Sequence, residues 1–373
     1  MNILILSWRD PKNPKSGGAE NVMLKYATYW TKSGHEVFWL GSRFESLPVN
    51  EIINGVNIHR VGPELKFYNT LTMLLTYPIF LINNIWIGWG IVRNQKIDLV
   101  VDAIHGLPLF SPLYVRCRKV LWVCEVAGTI WDKMYPFPIN HIGKLLEKFV
   151  YSIYKNCEIW AISESTKRDI LKINPNLKIK IIPLGIDTSK FKPVIKLNFP
   201  SALFVARLVK MKGIESALKA AKDISKKLPK FKLFIVGDGD LGYVKGLKDY
   251  VNSNHLQKNV EFLGKISDQE RNNLYAKCHF LIHPSFKEGF GLTVLEAAAS
   301  GTPTIAKKGS SMDELIVNDK TGLLFDDDKQ IATLFLKYFG GKEYIKLADD
   351  TSRMSRRYNW KQILSSSKSI TRI

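Results

Sequence analysis

Short apolar runs alternate with amphipathic stretches along almost the whole chain. Many of the runs are continuous Val, Ile and Leu, which is typical of parallel strands that are covered on both faces. Strands are predicted at residues 3–6, 36–40, 99–101, 120–123, 159–162, 179–182, 202–205, 233–236, 260–263, 279–282, 304–306 and 322–325. Helices such as 19–33 and Ile214–Lys227 lie between them. This alternation predicts α/β domains with doubly wound parallel sheets.

The strand–helix alternation pauses near the middle of the chain and then begins again. Residues 183–187 and 193–200 contain prolines and a glycine that indicate a hinge or linker. The 373 residues also suit two domains, because one domain usually has roughly 100–200 residues. We predict a first domain at 1–190 and a second at 191–352. Residues 353–373 are expected to form a C-terminal helix that returns to the first domain.

Residues 70–92 are strongly apolar, and their length is close to the roughly 20 residues that span a bilayer. Pro78, Asn83, Asn84 and Gly88 interrupt this stretch, and polar groups are costly in lipid. A buried or interfacial helix pair is therefore predicted instead of a membrane span. The apolar run at residues 3–6 is too short for a secretory signal and is assigned to a first buried strand.

The charge balance favours anionic partners. Lys and Arg number 54 against 34 Asp and Glu, which gives a formal charge of +20. Nucleic acid, phosphorylated small molecules and an anionic membrane surface are the partner classes that such an excess attracts. The four cysteines form no closely spaced pair, so neither a zinc cage nor a dense disulfide framework is indicated. A cytoplasmic location is expected.

The stretch at residues 283–303 carries the strongest chemical signal. It predicts a strand end, a glycine-rich turn and a short helix. Gly289 and Gly291 let the backbone approach a ligand closely, and the amides of residues 291–293 open the helix as an anion site. Glu288 and Glu296 flank this site, where carboxylates accept hydrogen bonds from sugar hydroxyls. The alternative interpretation is an ordinary helix start with a capping glutamate.

The spacing of Glu288 and Glu296 resembles the Glu-x7-Glu signature of glycosyltransferase family 4, whose members have the GT-B fold. Other segments, in the order that the family shows, extend the resemblance over nearly the whole chain. They are the glycine loop at 16–20, the landmarks at 161–167 and 182–187, the basic segment 205–213, and the segments 262–264 and 313–324.

The resemblance implies two Rossmann-like domains that face each other across a cleft. It also implies a retaining transfer from a nucleoside-diphosphate sugar, UDP- or GDP-linked, that needs no metal and no cofactor. Glu288 would contact the donor sugar, and Arg207 and Lys212 would hold the diphosphate. Such fixed cations lower a barrier where the leaving group gathers negative charge. These three residues form the predicted catalytic set.

The resemblance also supplies a set of donor-binding residues. Gly17 and Gly18 would approach the diphosphate from the first domain, residues 290–292 would offer backbone amides, and Glu296 would bind the ribose. Residues 264 and 265 would lie near the base. The predicted donor-binding set is Gly17, Gly18, Gly264, Lys265, Phe290, Gly291, Leu292, Thr293 and Glu296.

The acceptor side departs from the family pattern. Relatives often place a histidine after a first-domain strand, whereas the predicted strand at 120–123 is followed by Cys124 and Glu125. His105 and Glu125 are the alternative candidates for acceptor-side residues. The expected acceptor is a lipid-linked or cell-surface glycan, with the enzyme peripheral at the cytoplasmic face of an anionic membrane.

Two functions of other classes remain open at this point. Gly237, Gly239 and Gly242 match the G-x-G-x-x-G pattern of NAD-dependent oxidoreductases, with Glu261 as the ribose-binding acid. Basic clusters at 116–119 and 353–357 suggest nucleic-acid binding, but no reader module accompanies them, so no nucleic-acid partner is expected. Within the GT-B fold, epimerases and phosphorylases are further alternatives, because a fold does not determine a reaction.

Overall fold

The computed structural model describes residues 1–14, 16–65, 70–104 and 108–366, with the side chains of 65, 70–75 and 366 excepted. The described chain forms two compact units, Met1–Pro183 and Leu184–Ser365. The predicted boundaries lay at 190 and 352. Residues 184–190 group with the second unit because the Ile186 amide donates to the Tyr358 carbonyl at 2.8 Å and the Trp360 amide donates to Ile186 at 3.2 Å. Residues 353–365, which were expected to return to the first domain, also belong to the second unit.

The first unit is built on an eight-stranded sheet in the order β3-β4-β2-β1-β5-β6-β7-β8. Only the β3–β4 pair is antiparallel among these described strands. The elements are β1 (Asn2–Ser7), α1 (Gly18–Lys32), β2 (Glu36–Phe44), β3 (Asn50–Ile53), β4 (Val56–Leu65), α2 (Thr70–Asn94), β5 (Leu99–Ile104), a 3-10 turn (Ser111–Leu113), β6 (Arg118–Val123), α3 (Thr129–Met134), α4 (Ile139–Ile153), β7 (Glu158–Ala161), α5 (Glu164–Ile173) and β8 (Ile179–Ile181).

Helices cover both faces of this sheet. On one face, Tyr26 and Trp30 of α1 pack against Trp122 and Trp160, with ring centroids 5.4 and 6.3 Å apart. On the other face, α2 packs over β1 and β2, and α4 packs over β6 and β7. Since successive side chains of a strand point to opposite faces, the continuous apolar runs of these strands serve both layers.

The apolar stretch after β4 forms one continuous helix, so the predicted helix pair is wrong. Pro78 lies inside α2, within its first three turns. A proline costs a helix one hydrogen bond but does not always end it when the helix packs on a sheet. Over the part of the chain that is described, no helix has the length and apolar character needed to cross a bilayer.

A buried ion pair ties the segment after β1 to β4. Arg60 donates to both carboxylate oxygens of Asp10, at 2.8 and 3.0 Å, and to Glu51 at 3.0 Å. The side chains of Arg60 and Asp10 are fully buried. The two-pronged guanidinium suits this pairing, because two parallel hydrogen bonds fix orientation as well as distance.

The second unit is built on a six-stranded parallel sheet in the order β11-β10-β9-β12-β13-β14. Its elements are 3-10 turns at Thr188–Lys190, Lys210–Lys212 and Arg356–Tyr358, β9 (Ser201–Val205), α6 (Ile214–Lys227), β10 (Lys232–Val236), α7 (Leu241–Ser253), β11 (Val260–Gly264), α8 (Asp268–Lys277), β12 (Phe280–His283), α9 (Leu292–Ala299), β13 (Thr304–Lys307), α10 (Met312–Leu315), β14 (Leu323–Phe325), α11 (Gln330–Tyr338), α12 (Lys342–Ser355) and α13 (Trp360–Ser366).

The second sheet is also covered on both faces. Ala202 and Phe204 of β9 face α6, α7 and α11, whereas Leu203 faces α9. The predicted class, two doubly wound α/β domains, is therefore confirmed, and each of the twelve predicted strands is present.

Candidate active site

The chemically distinctive residues of the second unit follow the carboxyl ends of neighbouring strands. Strands β11, β10, β9 and β12 are adjacent in the sheet and parallel. Arg207 and Lys212 follow β9, Lys265 follows β11, and Glu288 follows β12. Open α/β sheets bind ligands at this edge, because the loops from several strands converge there.

Two of these loops are joined by their backbones. The Met211 carbonyl accepts hydrogen bonds from the Phe286 amide at 3.1 Å and from the Ser285 hydroxyl at 3.2 Å. Gly213 has φ of 70°, and a Cβ there would lie 2.4 Å from the Pro284 carbonyl oxygen. Only glycine permits this approach. We call the contact between residues 211–213 and 284–286 the loop clip.

The loop clip brings Lys212 to Glu288. The Lys212 ammonium lies 2.6 Å from the Glu288 carboxylate, and the His283 Nε2 lies 3.4 Å from the same oxygen. The two paired side chains are 16% and 18% exposed. Burial acts to raise the pKa of Glu288, but Lys212 and His283 outweigh it and hold that pKa well below its usual range. Glu288 is therefore a carboxylate at neutral pH.

Arg207 is exposed, and its side chain has no hydrogen-bond or ion-pair partner among the described residues. Its loop is fixed by neighbouring glycines. A Cβ on Gly237 would lie 1.9 Å from the Ala206 carbonyl oxygen, and one on Gly239 would lie 2.2 Å from the Leu208 carbonyl oxygen. Both glycines belong to the pattern that suggested an NAD site. In the structure, their lack of a side chain lets the backbone of the Arg207 loop pack closely against them. Gly242, the third, lies in α7.

The N-terminus of α9 lies at the same carboxyl edge of the sheet, which we call the strand-end region. Gly291 caps it with φ of 99°, and a Cβ there would lie 2.4 Å from the Met312 Cε. Val294 N–H donates back to the Gly291 carbonyl at 3.0 Å. The Leu292 and Thr293 amides precede this first bond, and such amides at a helix start attract anions.

Glu296 lies on α9, one turn further in. Its side chain is 20% exposed and its carboxylate lies 3.9 Å from the Arg271 Nε of α8. Burial raises the pKa of Glu296, and the Arg271 charge partly counters this. At the end of β11, Gly264 has φ of 65°, its carbonyl accepts from the Gly237 amide at 2.8 Å, and Lys265 is exposed.

His283 and Arg271 were not among the predicted site residues, although both lie within 4 Å of a predicted glutamate. His283 could have been noticed, because it is the last residue of the strand that leads to Glu288. Arg271 gave no signal, since it lies on a different helix from Glu296 and 25 positions before it along the chain. Phe290 was predicted, and its ring packs 6.1 Å from the ring of Tyr358.

The remaining predicted residues belong to the first unit. Gly17 caps α1, and its amide donates to the Glu20 carboxylate at 2.8 Å, while Gly18 is the first residue of the helix. Glu20 is buried and lies 3.7 Å from Arg9. With Cys124, Glu20 also lines a cavity of about 10 Å³, large enough for a single water. Glu125 follows β6 and is half-buried, and His105 lies outside the described residues.

Two family models match the chain, one after the other. The model described as Glycosyltransferase Family 4 matches residues 16–190, and the model described as Glycosyl transferases group 1 matches residues 185–349. Together they span both units and include every residue of the strand-end region described above.

Individual proteins agree with these models. An uncharacterized glycosyltransferase of Methanocaldococcus jannaschii is 27% identical over 100% of this chain and 98% of its own. The structure of sucrose-phosphate synthase from Thermosynechococcus elongatus superposes with a TM-score of 0.85, at 19% identity, covering 100% and 98% of the two chains. The Anabaena protein HepE, solved in complex with UDP-glucose, has a TM-score of 0.74 at 17% identity and full coverage of both chains.

Proposed function

We propose that this chain, which belongs to the family 4 type of glycosyltransferases and has the GT-B fold, transfers a sugar with retention from a UDP- or GDP-sugar to a glycan acceptor. The single observation that carries the proposal is the Lys212–Glu288 pair, whose glutamate lies in the loop that leads from β12 to the N-terminus of α9. A cation, helix amides and a carboxylate at one strand edge suit a ligand with phosphates at one end and hydroxyls at the other.

The cations and amides would bind the donor diphosphate. Arg207 has no competing partner among the described residues and offers two parallel donors, whereas Lys212 offers a point charge. As the bond from the sugar to the diphosphate breaks, negative charge grows on the diphosphate. Groups that are already fixed around it lower the barrier, because little reorganisation is needed. The loop clip supports this role by fixing Lys212 through its neighbour Met211.

The two glutamates would bind hydroxyl groups. Glu288 is ionised in the folded state, so it accepts hydrogen bonds from the donor sugar. Glu296 would accept from the ribose, and Arg271 favours its charged form. We propose that the transfer needs neither a metal ion nor a cofactor. We also propose that HepE's nucleotide class, a UDP-sugar, is the first donor to test.

The acceptor is proposed to be a lipid-linked or cell-surface glycan, reached at the cytoplasmic face of an anionic membrane. The formal charge of +20 supports this location, because anionic lipids attract basic proteins. Glu125, which follows β6 in the first unit, is the proposed acceptor-side residue within the described chain.

Thermal unfolding in the presence of UDP-sugars, GDP-sugars and NAD tests the donor proposal. A ligand that binds only the folded state at 100 times its Kd adds about 2.7 kcal/mol of stability. We expect stabilisation by one nucleotide-sugar class, and loss of this effect in Lys212→Met. Lys210→Met is the matched control, since Lys210 is exposed on the same 3-10 turn. Stabilisation by NAD alone would contradict the proposal.

The stereochemical part needs its own measurement. Proton NMR of the first-formed product reports the anomeric configuration, and we expect the configuration of the donor to be kept. An inverted product would reject retention while leaving the donor assignment standing. Addition of a chelator, with no loss of turnover expected, tests the proposed metal independence.

A further inference from the structure

Helix α2 carries an apolar stripe on the side that does not pack on the sheet. Ile79, Ile82, Trp86 and Trp89 are exposed, and Trp86 is 70% exposed. Their spacing of three and four residues places them along one line of the helix. Arg93, one turn further on, lies with its guanidinium 5.6 Å from the centre of the Trp89 ring. Large apolar side chains in such a row need a partner, because single exposed ones are ordinary but contiguous ones are not.

Helix α4 carries a second stripe of the same kind. Ile139, Ile142, Leu145, Leu146 and Phe149 are exposed, with Leu145 at 68% and Phe149 at 57%. The opposite side of the helix packs inward through other residues, including the buried Tyr151. The apolar residues on the outer side are therefore additional to those that hold α4 in the fold.

The register of the sheet places both helices on the same face. Leu6 aligns with Asp102, and Asp102 aligns with Leu121, so Leu6 and Leu121 point to one side. Leu6 belongs to the apolar cluster under α2, and Leu121 belongs to the cluster under α4. Both helices therefore cover the same face of the sheet, and both exposed stripes lie on the outer side of these helices.

The 3-10 turn at Ser111–Leu113 and the following Tyr114 have neighbours on both helices. Tyr114 donates its hydroxyl proton to Asn84 of α2 at 3.2 Å. Leu113 is exposed and lines a pocket together with Ile153, the last residue of α4. The α2 stripe, Leu113 and the α4 stripe are thus exposed on the same side of the sheet, and we call them together the apolar surface.

Basic groups border the apolar surface. The pocket that contains Leu113 and Ile153 has a volume of about 590 Å³, and Arg118, Lys119 and Lys155 also line it, with Glu158 as its acidic residue. The acidic residue of α4 itself is turned inward. Glu147 accepts from the amides of Ala127 and Gly128, at 2.8 and 3.0 Å.

We propose that the apolar surface lies in the headgroup region of an anionic bilayer, and that Arg118, Lys119 and Lys155 bind lipid phosphates. Amphipathic helices with tryptophan on the apolar side and lysine or arginine at the border bind membranes in this orientation. This inference rests on the proposed function, which places the enzyme at a membrane, and it names the surface that contacts the membrane. A second copy of the chain is the less favoured occupant, because a two-fold interface here would bring the two basic pockets toward one another.

Flotation of the full chain with vesicles tests the proposal, using phosphatidylcholine with and without phosphatidylglycerol. We expect binding only to the vesicles with phosphatidylglycerol, weakening as salt is raised. Leu145→Asp/Phe149→Asp is expected to reduce the vesicle partition constant more than about tenfold. Arg118→Gln/Lys155→Gln is expected to reduce it about fivefold for each charge removed. The matched control is Leu241→Asp/Ile345→Asp, which changes two exposed apolar residues of the second unit.

Separate readouts keep this inference distinct from the donor proposal. The changed side chains are exposed, so we expect normal melting and normal stabilisation by nucleotide-sugar in all variants. Equal flotation of Leu145→Asp/Phe149→Asp and the unchanged chain would overturn the docking surface. So would light scattering that shows a dimer which this double variant dissociates. Vesicle binding without any nucleotide-sugar binding would instead leave the surface standing and reject the donor proposal.

Discussion

Removal of the Lys212 ammonium should cost stability as well as turnover. Lys212→Met keeps the length of the side chain but leaves Glu288 without the cation that lies 2.6 Å away. Breaking a fully buried ion pair by removing one partner costs about 3–5 kcal/mol. Both side chains here retain some solvent access, and His283 lies 3.4 Å from the same carboxylate oxygen. We therefore expect a loss of about 2 kcal/mol in the free energy of unfolding at pH 7.

A double-mutant cycle separates the pair from its surroundings. Glu288→Gln should also destabilise, whereas Lys212→Met/Glu288→Gln should cost less than the sum of the single changes. The difference, the coupling energy, is expected to be about 1–2 kcal/mol. Urea unfolding measures all four proteins, with Lys210→Met as the control for loss of a nearby exposed charge. Strictly additive losses would refute the conclusion that the pair holds the site together.

The same cycle has a defined pH dependence. The folded-state pKa of Glu288 is lowered, so its contribution to stability is present above the unfolded-state pKa of about 4.3. That contribution disappears as pH falls through the lower, folded-state value. The stability difference between the unchanged chain and Lys212→Met should accordingly shrink as pH falls below about 4. A difference that is constant from pH 7 to pH 3 would contradict the assignment of the pKa shift to Lys212.

Four further changes test other parts of the structure. Arg207→Ala should leave the free energy of unfolding within about 0.5 kcal/mol, because the side chain is exposed, and should reduce kcat/KM about 100-fold in a donor-turnover assay. Gly213→Ala should cost more than about 3 kcal/mol in urea unfolding and reduce turnover, because it combines a positive φ with a contact of 2.4 Å. Gly340→Ala, with positive φ but open space, should cost only about 1 kcal/mol. Arg60→Met should cost about 3–5 kcal/mol in the same assay, because it leaves the fully buried Asp10 carboxylate unpaired.

Most strands could be predicted from apolar runs because the sheets are parallel and covered on both faces. Strands β3 and β4 were missed, since their residues mix apolar and polar side chains; β3 is the edge strand and β4 lies next to it. A signal was nevertheless present. Asn54 and Gly55, both with positive φ, form the two-residue turn between these antiparallel strands, and Asn-Gly is the strongest short hairpin signal.

The candidate site could be predicted only in part. Charge type, glycine spacing and family resemblance pointed to Lys212 and Glu288, which the structure brings together although 76 positions separate them. The hydrogen bonds of the loop clip gave no such signal, because their acceptor is the backbone carbonyl of Met211, and every residue type has a backbone carbonyl. The exposed side of α4 was likewise missed, since helical spacing alone does not tell which apolar stripe faces the sheet.

The loop clip limits how the strand edge can change during evolution. One carbonyl oxygen accepts from both a backbone amide and a hydroxyl of the facing segment, so the two loops share a single anchoring atom. Insertion of one residue in either loop would move that oxygen away from both donors and break two contacts in one step. Homologues that differ in ligand preference are therefore expected to differ in the side chains of these two loops and not in the lengths of the loops.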